Sequence, residues 1–141
     1  MKSGIFYILL FFGCQMSFSQ TILGKWKTID DETGVEKSIV EIFEKQGKFY
    51  GKIIEIFEAE HRHRKCEKCE GEDKNKPILG LTILKGMKKS GNSYEGGKIT
   101  DPKNGSSYNC KITMEGKDKI VVRGFIGISL FGRSQNWIRH K

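Results

Sequence analysis

The sequence predicts an all-β fold, an eight-stranded antiparallel up-and-down barrel. From Leu23 onward, apolar and β-branched segments of six to ten residues alternate with Gly, Asn and Asp punctuation. No stretch keeps a helical period for three turns, so no helix can cross between parallel strands. Eight strands with mostly short connections close into a small barrel without leaving edges. A two-sheet sandwich is the alternative, but it needs longer crossovers, and only residues 58–77 form a long connection.

Turn signals bound the first five strands. The polar run 30–34 ends the first strand, and the Lys-Gln-Gly turn at 45–47 joins the second strand to the third. The long polar insert 58–77 precedes the fourth strand, and the Ser-Gly-Asn turn at 90–92 leads into the fifth. These signals divide the first part of the chain into short strands.

The remaining connections are equally recognisable. In the run 101–105, Asp-Pro-Lys-Asn-Gly, proline presets φ and Asn-Gly accepts a positive φ, so this run joins the fifth strand to the sixth. The Gly-Lys-Asp turn at 116–118 joins the sixth strand to the seventh. The predicted strands are residues 22–29, 36–44, 48–57, 78–85, 93–100, 106–115, 119–126 and 131–139.

Alternation along the sixth and eighth strands predicts which side chains face the interior. Tyr108 and Cys110 share the apolar face of the sixth strand, and the opposite face is polar. In the eighth strand Arg133, Gln135 and Trp137 share one face. Because an unpaired buried charge is costly, this strand predicts a polar or partly wet interior, or arginines at the barrel ends.

Residues 1–19 are predicted to be a secretory signal peptide. A positively charged start precedes an apolar run over residues 5–12, and small residues occupy the −3 and −1 positions of a cleavage site. The run is too short to span a bilayer. The alternatives are a lipoprotein signal ending at Cys14 and a buried N-terminal strand. Cleavage leaves residues 20–141, which we interpret as a single domain that is periplasmic or secreted.

The positive charge of the chain does not point to nucleic acid. The formal net charge is +8, and one lysine lies in the predicted signal peptide, which leaves +7. The lysines are spread over outward strand positions without a stripe or interleaved exposed aromatic residues, so we expect no nucleic-acid partner. We expect a monomer or weak dimer that associates peripherally with an anionic envelope surface.

Two cysteines lie in the polar insert. In an exported chain the Cys66-x-x-Cys69 pair predicts a disulfide. One alternative is a zinc site formed by His61, His63, Cys66 and Cys69, since Cys-x-x-Cys is half of a structural zinc site. The other is a thioredoxin-like redox role, which needs a helix N-terminus that the sequence does not predict. Cys110 is predicted to be a buried free thiol. No cofactor is predicted.

The sequence offers no catalytic constellation. All three histidines lie in the insert or at the C-terminus, where no base is held against a serine, and neither Gly-x-Ser-x-Gly nor His-Glu-x-x-His occurs. Asp30, Asp31 and Asp101 would make an acidic group at one barrel end, but they are also ordinary turn residues. We therefore expect that the protein is not an enzyme.

The first and last strands carry a resemblance. Gly24-x-Trp26, with Arg139 at the end of the last strand, resembles the glycine-any-tryptophan signature of lipocalin-like (calycin) barrels, in which a C-terminal basic side chain lies across the tryptophan. These two strands must pair to close a barrel, and an arginine over an indole face contributes roughly 0.5–2 kcal/mol. We therefore assign Gly24, Trp26 and Arg139 to barrel closure.

Spaced motifs extend the resemblance over the predicted mature chain. They include Tyr50-Gly51-Lys52-Ile53, Cys66-x-x-Cys69, Gly96-Gly97-Lys98-Ile99-x-Asp101-Pro102, Arg123-Gly124-Phe125-Ile126-Gly127 and Gly132-Arg133-x-Gln135-x-Trp137-x-Arg139. Together they resemble the bacterial family called domain of unknown function 2147. The resemblance implies an exported lipocalin-like β-barrel and brings no activity with it.

The leading functional hypothesis is a barrel that binds a small, partly apolar ligand at its open end. Trp26, Tyr50, Tyr108, Arg133 and Trp137 are the candidate wall residues, because aromatic and arginine side chains on inward faces suit one ligand in a barrel of this size. The alternative is a structural or protein-interaction module of the cell envelope, in which these side chains fill the core and leave no cavity.

Overall fold

Eight antiparallel strands form a closed barrel in the computed structural model, which describes residues 21–141. The strands are β1 (Gly24–Ile29), β2 (Glu36–Lys45), β3 (Lys48–Ile56), β4 (Thr82–Ser90), β5 (Ser93–Thr100), β6 (Ser107–Met114), β7 (Lys119–Phe125) and β8 (Gly132–Arg139). Each strand pairs with its neighbours in the chain, and β1 pairs with β8 to close the barrel. The predicted fold class is confirmed. The predicted signal peptide and its Cys14 alternative lie outside the described residues.

The start of the fourth strand was predicted too early. Residues 78–81 form a loop, in which Gly80 has a left-handed φ of 91°. The N–H of Gly80 donates to the carbonyl of Ile53, and the N–H of Ile53 donates to the carbonyl of Leu81, at 2.7 and 2.9 Å. The segment is apolar because Leu81 packs into the core, and strand pairing with β5 begins only beyond it.

The connections give the barrel two different ends. The closed end is formed by the short turns 46–47, 91–92 and 115–118. The open end is formed by the longer connections 30–35, 57–81, 101–106 and 126–131. Short turns bring neighbouring strands together at the closed end, whereas the longer connections leave space between them.

Large buried side chains fill the half of the barrel next to the closed end. Trp26, Met87 and Tyr94 are at most 2% exposed, and the Tyr94 ring packs edge-on against Phe49 with centroids 5.0 Å apart. Gly97 permits this packing, because a Cβ at that position would lie 2.5 Å from the Sδ of Met87. The core therefore occupies one half of the interior.

The closed end is sealed by the residues assigned to barrel closure. Trp26 and Arg139 are register partners in β1 and β8, and the guanidinium carbon lies 4.3 Å from the centroid of the indole ring. The indole N–H donates to the carbonyl of Ile22 at 2.8 Å. Gly24 has a φ of 124°, which other residues rarely adopt, and a Cβ at this position would lie 2.9 Å from the arginine Nη1 atom.

The long connection contains the predicted disulfide. Cys66 and Cys69 are bonded to each other and nearly inaccessible to solvent. Both sulfurs are thereby unavailable to a metal, so the zinc alternative with His61 and His63 is not supported. Cys110 is a free cysteine, 2% exposed, as predicted.

The long connection packs against the neighbouring connection 101–106. A Cβ on Gly105 would lie 1.9 Å from the carbonyl oxygen of Lys68, so the two backbones are in close contact. The long connection contains two short 3-10 helices, Ala59–His61 and Gly71–Asp73. Across residues 21–141 we find no helix with the length and apolar character needed to cross a membrane.

Candidate functional site

The half of the barrel next to the open end contains a cavity of about 640 Å³. This volume falls within the range of about 300–1,000 Å³ that small-molecule sites occupy. The inner walls are formed by side chains from all eight strands, namely Thr28, Ser38, Ile53, Ile83, Ile99, Tyr108, Val122 and Trp137. The interior is therefore not filled by its own side chains, contrary to the alternative of a barrel without a cavity.

Small side chains account for this space. Thr28 and Ser38 face each other across β1 and β2, with their Oγ atoms 2.7 Å apart. Nearer the closed end, the same two strands carry larger inward side chains. Gly124 of β7 also lines the cavity. A Cβ at Gly124 would lie 3.4 Å from Ile99 Cγ2, which is ordinary contact, so this position has room for a larger side chain.

Trp137 forms the floor of the cavity. It is 1% exposed and belongs to the core cluster, yet its upper surface lines the cavity. Its indole N–H donates to the Oε1 atom of Gln135 at 3.2 Å, and Gln135 also lines the cavity. The inward face of β8 is therefore polar toward the open end and aromatic toward the core, as the alternation predicted.

Arg133 lies at the mouth and holds the connection between β1 and β2. Its guanidinium donates two hydrogen bonds to Asp31, one of them at 2.9 Å, and a third to Glu32 at 2.9 Å. The hydrogen bond from Arg133 lowers the pKa of Asp31 below its ordinary value. Two carboxylates thus neutralise Arg133, and it acts mainly as a bridge across the mouth.

A second charged group lies beside the mouth. The ammonium of Lys37 donates to Glu58 at 2.8 Å, which raises the pKa of Lys37 and lowers that of Glu58. His61 Nδ1 lies 3.0 Å from the other oxygen of Glu58. Glu58, Glu60 and His61 place their ligand atoms within 4.8 Å of one another, but exposed acidic groups of this kind commonly occur without an ion, and Lys37 already neutralises Glu58.

Asp30 and Asp101 directly follow β1 and β5, and each accepts hydrogen bonds within its own turn. An Asp30 carboxylate oxygen accepts the backbone N–H groups of Glu32 and Thr33, and these bonds lower its pKa. Asp101 accepts the N–H of Lys103 in the same way, at 2.9 Å. The turn interpretation of these two residues is supported.

The structure brings three of the five candidate wall residues together around the cavity. Tyr108, Arg133 and Trp137 line it, whereas Trp26 and Tyr50 do not. Trp26 lies below the cavity, where it is fully buried in the core. Tyr50 points outward and stacks on Phe43 of β2, with ring centroids 5.8 Å apart. Both faces of β3 carry apolar residues, so alternation alone did not indicate which face is inside.

Comparison with known proteins identifies the family. A family model described as an uncharacterized protein conserved in bacteria, domain of unknown function 2147, matches residues 24–139. The chain belongs to this family. No curated protein matches. Among solved structures, protein HP1028 from Helicobacter pylori, described as belonging to the lipocalin family, is similar with a TM-score of 0.77. The identity is 21%, over 87% of this chain and 85% of that chain, so the likeness shows a shared lipocalin-like fold.

Most of the residues that form the cavity wall were not predicted from the sequence of this member of the family. Ile53, Ile83 and Ile99 form the apolar part of the wall, yet they are not among the predicted site residues. Two signals taken together would have found them, since each is on the inward face of its strand and on the half of that strand nearest a long connection. The Asp31–Arg133 contact has no such signal, because its partners are 102 residues apart.

Proposed function

We propose that this protein is an exported, non-catalytic binding protein that holds one small, partly apolar ligand in its barrel. The observation that carries the proposal is the open cavity of about 640 Å³ above the Trp137 floor. Export is supported by the Cys66–Cys69 disulfide, because disulfides persist mainly in oxidising compartments, and by the predicted signal peptide.

The polarity of the cavity suggests how the ligand lies. Isoleucine and valine side chains surround the deeper part, so an apolar portion of the ligand would be buried there. Lys103 and Asn104 line the mouth, and Lys103 forms no ion pair within the described residues. A polar end of the ligand would therefore lie at the mouth, next to solvent.

A filled-cavity variant tests the proposal. Gly124→Leu places a side chain in the cavity, where the neighbouring atoms leave room for its first carbon. We expect N-phenyl-1-naphthylamine, a neutral apolar fluorophore, to bind the wild-type protein with increased emission, and Gly124→Leu to weaken that binding about tenfold or more. Val121→Leu is the matched control, because Val121 belongs to the same strand and does not line the cavity.

Native mass spectrometry of protein purified from the bacterium that produces it provides the second measurement. We expect a retained small molecule that Gly124→Leu no longer retains. Equal probe binding by wild type and Gly124→Leu, or no binding by either together with no retained molecule, would contradict the proposal. Circular dichroism establishes that both variants are folded before the comparison is made.

A further inference from the structure

We propose that the open end of the barrel docks on a neutral lipid bilayer through the connection between β7 and β8, residues 126–131. We call these residues the apolar loop. Its Ile126, Ile128, Leu130 and Phe131 side chains are 60–74% exposed. Contiguous exposed apolar surface of this kind marks interaction sites.

The distribution of exposed apolar side chains singles out the open end. The exposed large hydrophobic residues of the described chain are Val35, Leu79, Ile126, Ile128, Leu130 and Phe131. All six lie on connections of the open end, and none lies on the barrel wall or at the closed end. The exposure is therefore concentrated on one pole of the molecule.

The backbone carbonyls of the apolar loop already accept hydrogen bonds from within the protein. The guanidinium of Arg123 donates to the carbonyl oxygens of Ser129 and Leu130 at 2.7 and 3.3 Å. The neighbouring carbonyls of Ile128 and Phe131 accept backbone N–H groups of the loop itself. Four successive carbonyls are thus satisfied within the protein, which reduces the cost of moving them out of water.

Arg123 also fixes the shape of the apolar loop. Its third hydrogen bond, to the hydroxyl of Ser134, anchors the guanidinium on β8 at 2.9 Å. The braced loop therefore keeps its apolar side chains exposed, and two of them, Ile126 and Phe131, also line the mouth of the cavity. A braced loop loses little conformational freedom when it meets a surface.

The size and charge of the open end favour a bilayer over a protein partner. A stable protein interface takes roughly 20–30 residues on each side, whereas the exposed apolar residues number six. The apolar loop has no charged side chain, and the four open-end connections together carry three more acidic than basic residues. This charge suits a zwitterionic membrane surface and repels an anionic one.

Exposed lysines also lie at the opposite pole of the barrel. Exposed lysines at the closed end are Lys45, Lys48, Lys88, Lys89, Lys117 and Lys141. The expected attraction to an anionic envelope surface would therefore act through the closed end and weaken with salt. Docking through the apolar loop would depend little on salt, so the two modes can be separated.

Vesicle binding with a reporter at each end tests the proposal. A nitrobenzoxadiazole label on Ser129→Cys reports on the apolar loop, and the same label on Asn92→Cys reports on the closed end. With phosphatidylcholine vesicles we expect a blue shift and emission increase from Ser129→Cys alone, unchanged between about 0.1 and 0.5 M salt. Buried Cys110 does not compete for the label, because its burial blocks access.

A double variant tests the side chains directly. Ile128→Ser with Leu130→Ser removes exposed apolar groups that do not line the cavity. We expect co-sedimentation with phosphatidylcholine vesicles to fall about tenfold or more, with N-phenyl-1-naphthylamine binding unchanged. Ile54→Ser, at a half-buried position of β3 away from the apolar loop, is the control and should leave vesicle binding unchanged.

Three outcomes would overturn the proposal. They are no binding of the wild-type protein to phosphatidylcholine vesicles, a response confined to the closed-end label, and a dimer in analytical ultracentrifugation that the double variant dissolves. The last outcome would assign the apolar loop to a second copy of the chain. The proposal stands independently of ligand binding, because Gly124→Leu alters the cavity and leaves the apolar loop intact.

Discussion

Arg139 ties the end of β8 to the residues just before β1 at the closed end of the barrel. Its guanidinium carbon lies 4.3 Å from the centroid of the Trp26 ring. It donates to the carbonyls of Thr21 and Leu23 at 3.0 and 2.9 Å, and to the carbonyl of Lys117 at 2.8 Å. Replacing Arg139 with alanine removes the stacking and all three hydrogen bonds at once.

The structure sets the expected magnitude of this change. A cation over an indole face contributes roughly 0.5–2 kcal/mol, and each hydrogen bond roughly 0.5–1.5 kcal/mol net. The side chain of Arg139 is 24% exposed, so solvent screens the charge and water replaces part of the lost bonding. Because contacts made by one group are not additive, we expect Arg139→Ala to lower the free energy of unfolding by about 2–4 kcal/mol.

Urea denaturation followed by circular dichroism measures this difference. Arg139→Lys keeps a charge near the indole ring but loses the planar fork of donors, so we expect it to cost about half as much. Arg64→Ala removes an exposed arginine from the long connection and should change stability by less than about 0.5 kcal/mol. The dependence on urea concentration should stay the same in all variants, since the folded barrel is unchanged.

Two results would refute this account of barrel closure. One is a cost below about 0.5 kcal/mol for Arg139→Ala, which would mean that the stacking on Trp26 and the three hydrogen bonds contribute nothing measurable. The other is wild-type stability for Arg139→Lys, which would mean that the fork of hydrogen bonds is dispensable and that charge alone matters.

Three further predictions address the connections and the buried thiol. Gly105→Ala should lower the free energy of unfolding, measured by urea denaturation, by at least about 2 kcal/mol, because its Cβ would clash with Lys68. Gly47→Ala should lower it by about 1 kcal/mol, since Gly47 has a similar positive φ but open space around it. Equal costs would contradict the packing of the two connections. Thiol titration of the unfolded, unreduced protein without its predicted signal peptide should find one reactive cysteine, Cys110. The folded protein should not react at pH 8, because burial raises the pKa of that thiol to about 12. Three reactive thiols in the unfolded protein would disprove the disulfide. The folded-state pKa of Asp31 is lowered from 3.8, so its contribution is present above that pH and lost as the pH falls through the folded-state pKa. Asp31→Asn should therefore lower the melting temperature at pH 7, and this effect should shrink as the pH falls below 3.8. An effect of the same size across that range would show that the arginine contact is not the cause.

The sequence alone predicted the fold because its signals are local. Inward and outward side chains alternate cleanly in β6, so Cys110 is buried as predicted. The turn 101–105 contains the residue types that its backbone angles require. The spacing of Cys66 and Cys69 allows a disulfide within one loop, and the structure contains it. Each of these inferences needs only a few consecutive residues.

Local signals were misleading where an apolar residue has more than one way to be buried. Residues 78–81 are apolar like a strand, but they form a loop whose Leu81 reaches the core. In β3 both faces carry apolar residues, and the pairing with β2 and β4 decided that Tyr50 points outward while Phe49 points inward. Hydrophobicity reports that a residue avoids water and does not report which neighbour covers it.

The sequence by itself determined the eight strands, their turns, the inward faces of the strands that alternate, and the pairing of Gly24, Trp26 and Arg139 at the closed end. Only the tertiary structure decided that the barrel interior is half filled, because a cavity is the volume left over when side chains from all eight strands have been packed together. It also decided that Arg133 bridges the mouth to Asp31 and that the apolar loop remains exposed. These features depend on distances between segments far apart in the chain, which no local pattern of residues encodes.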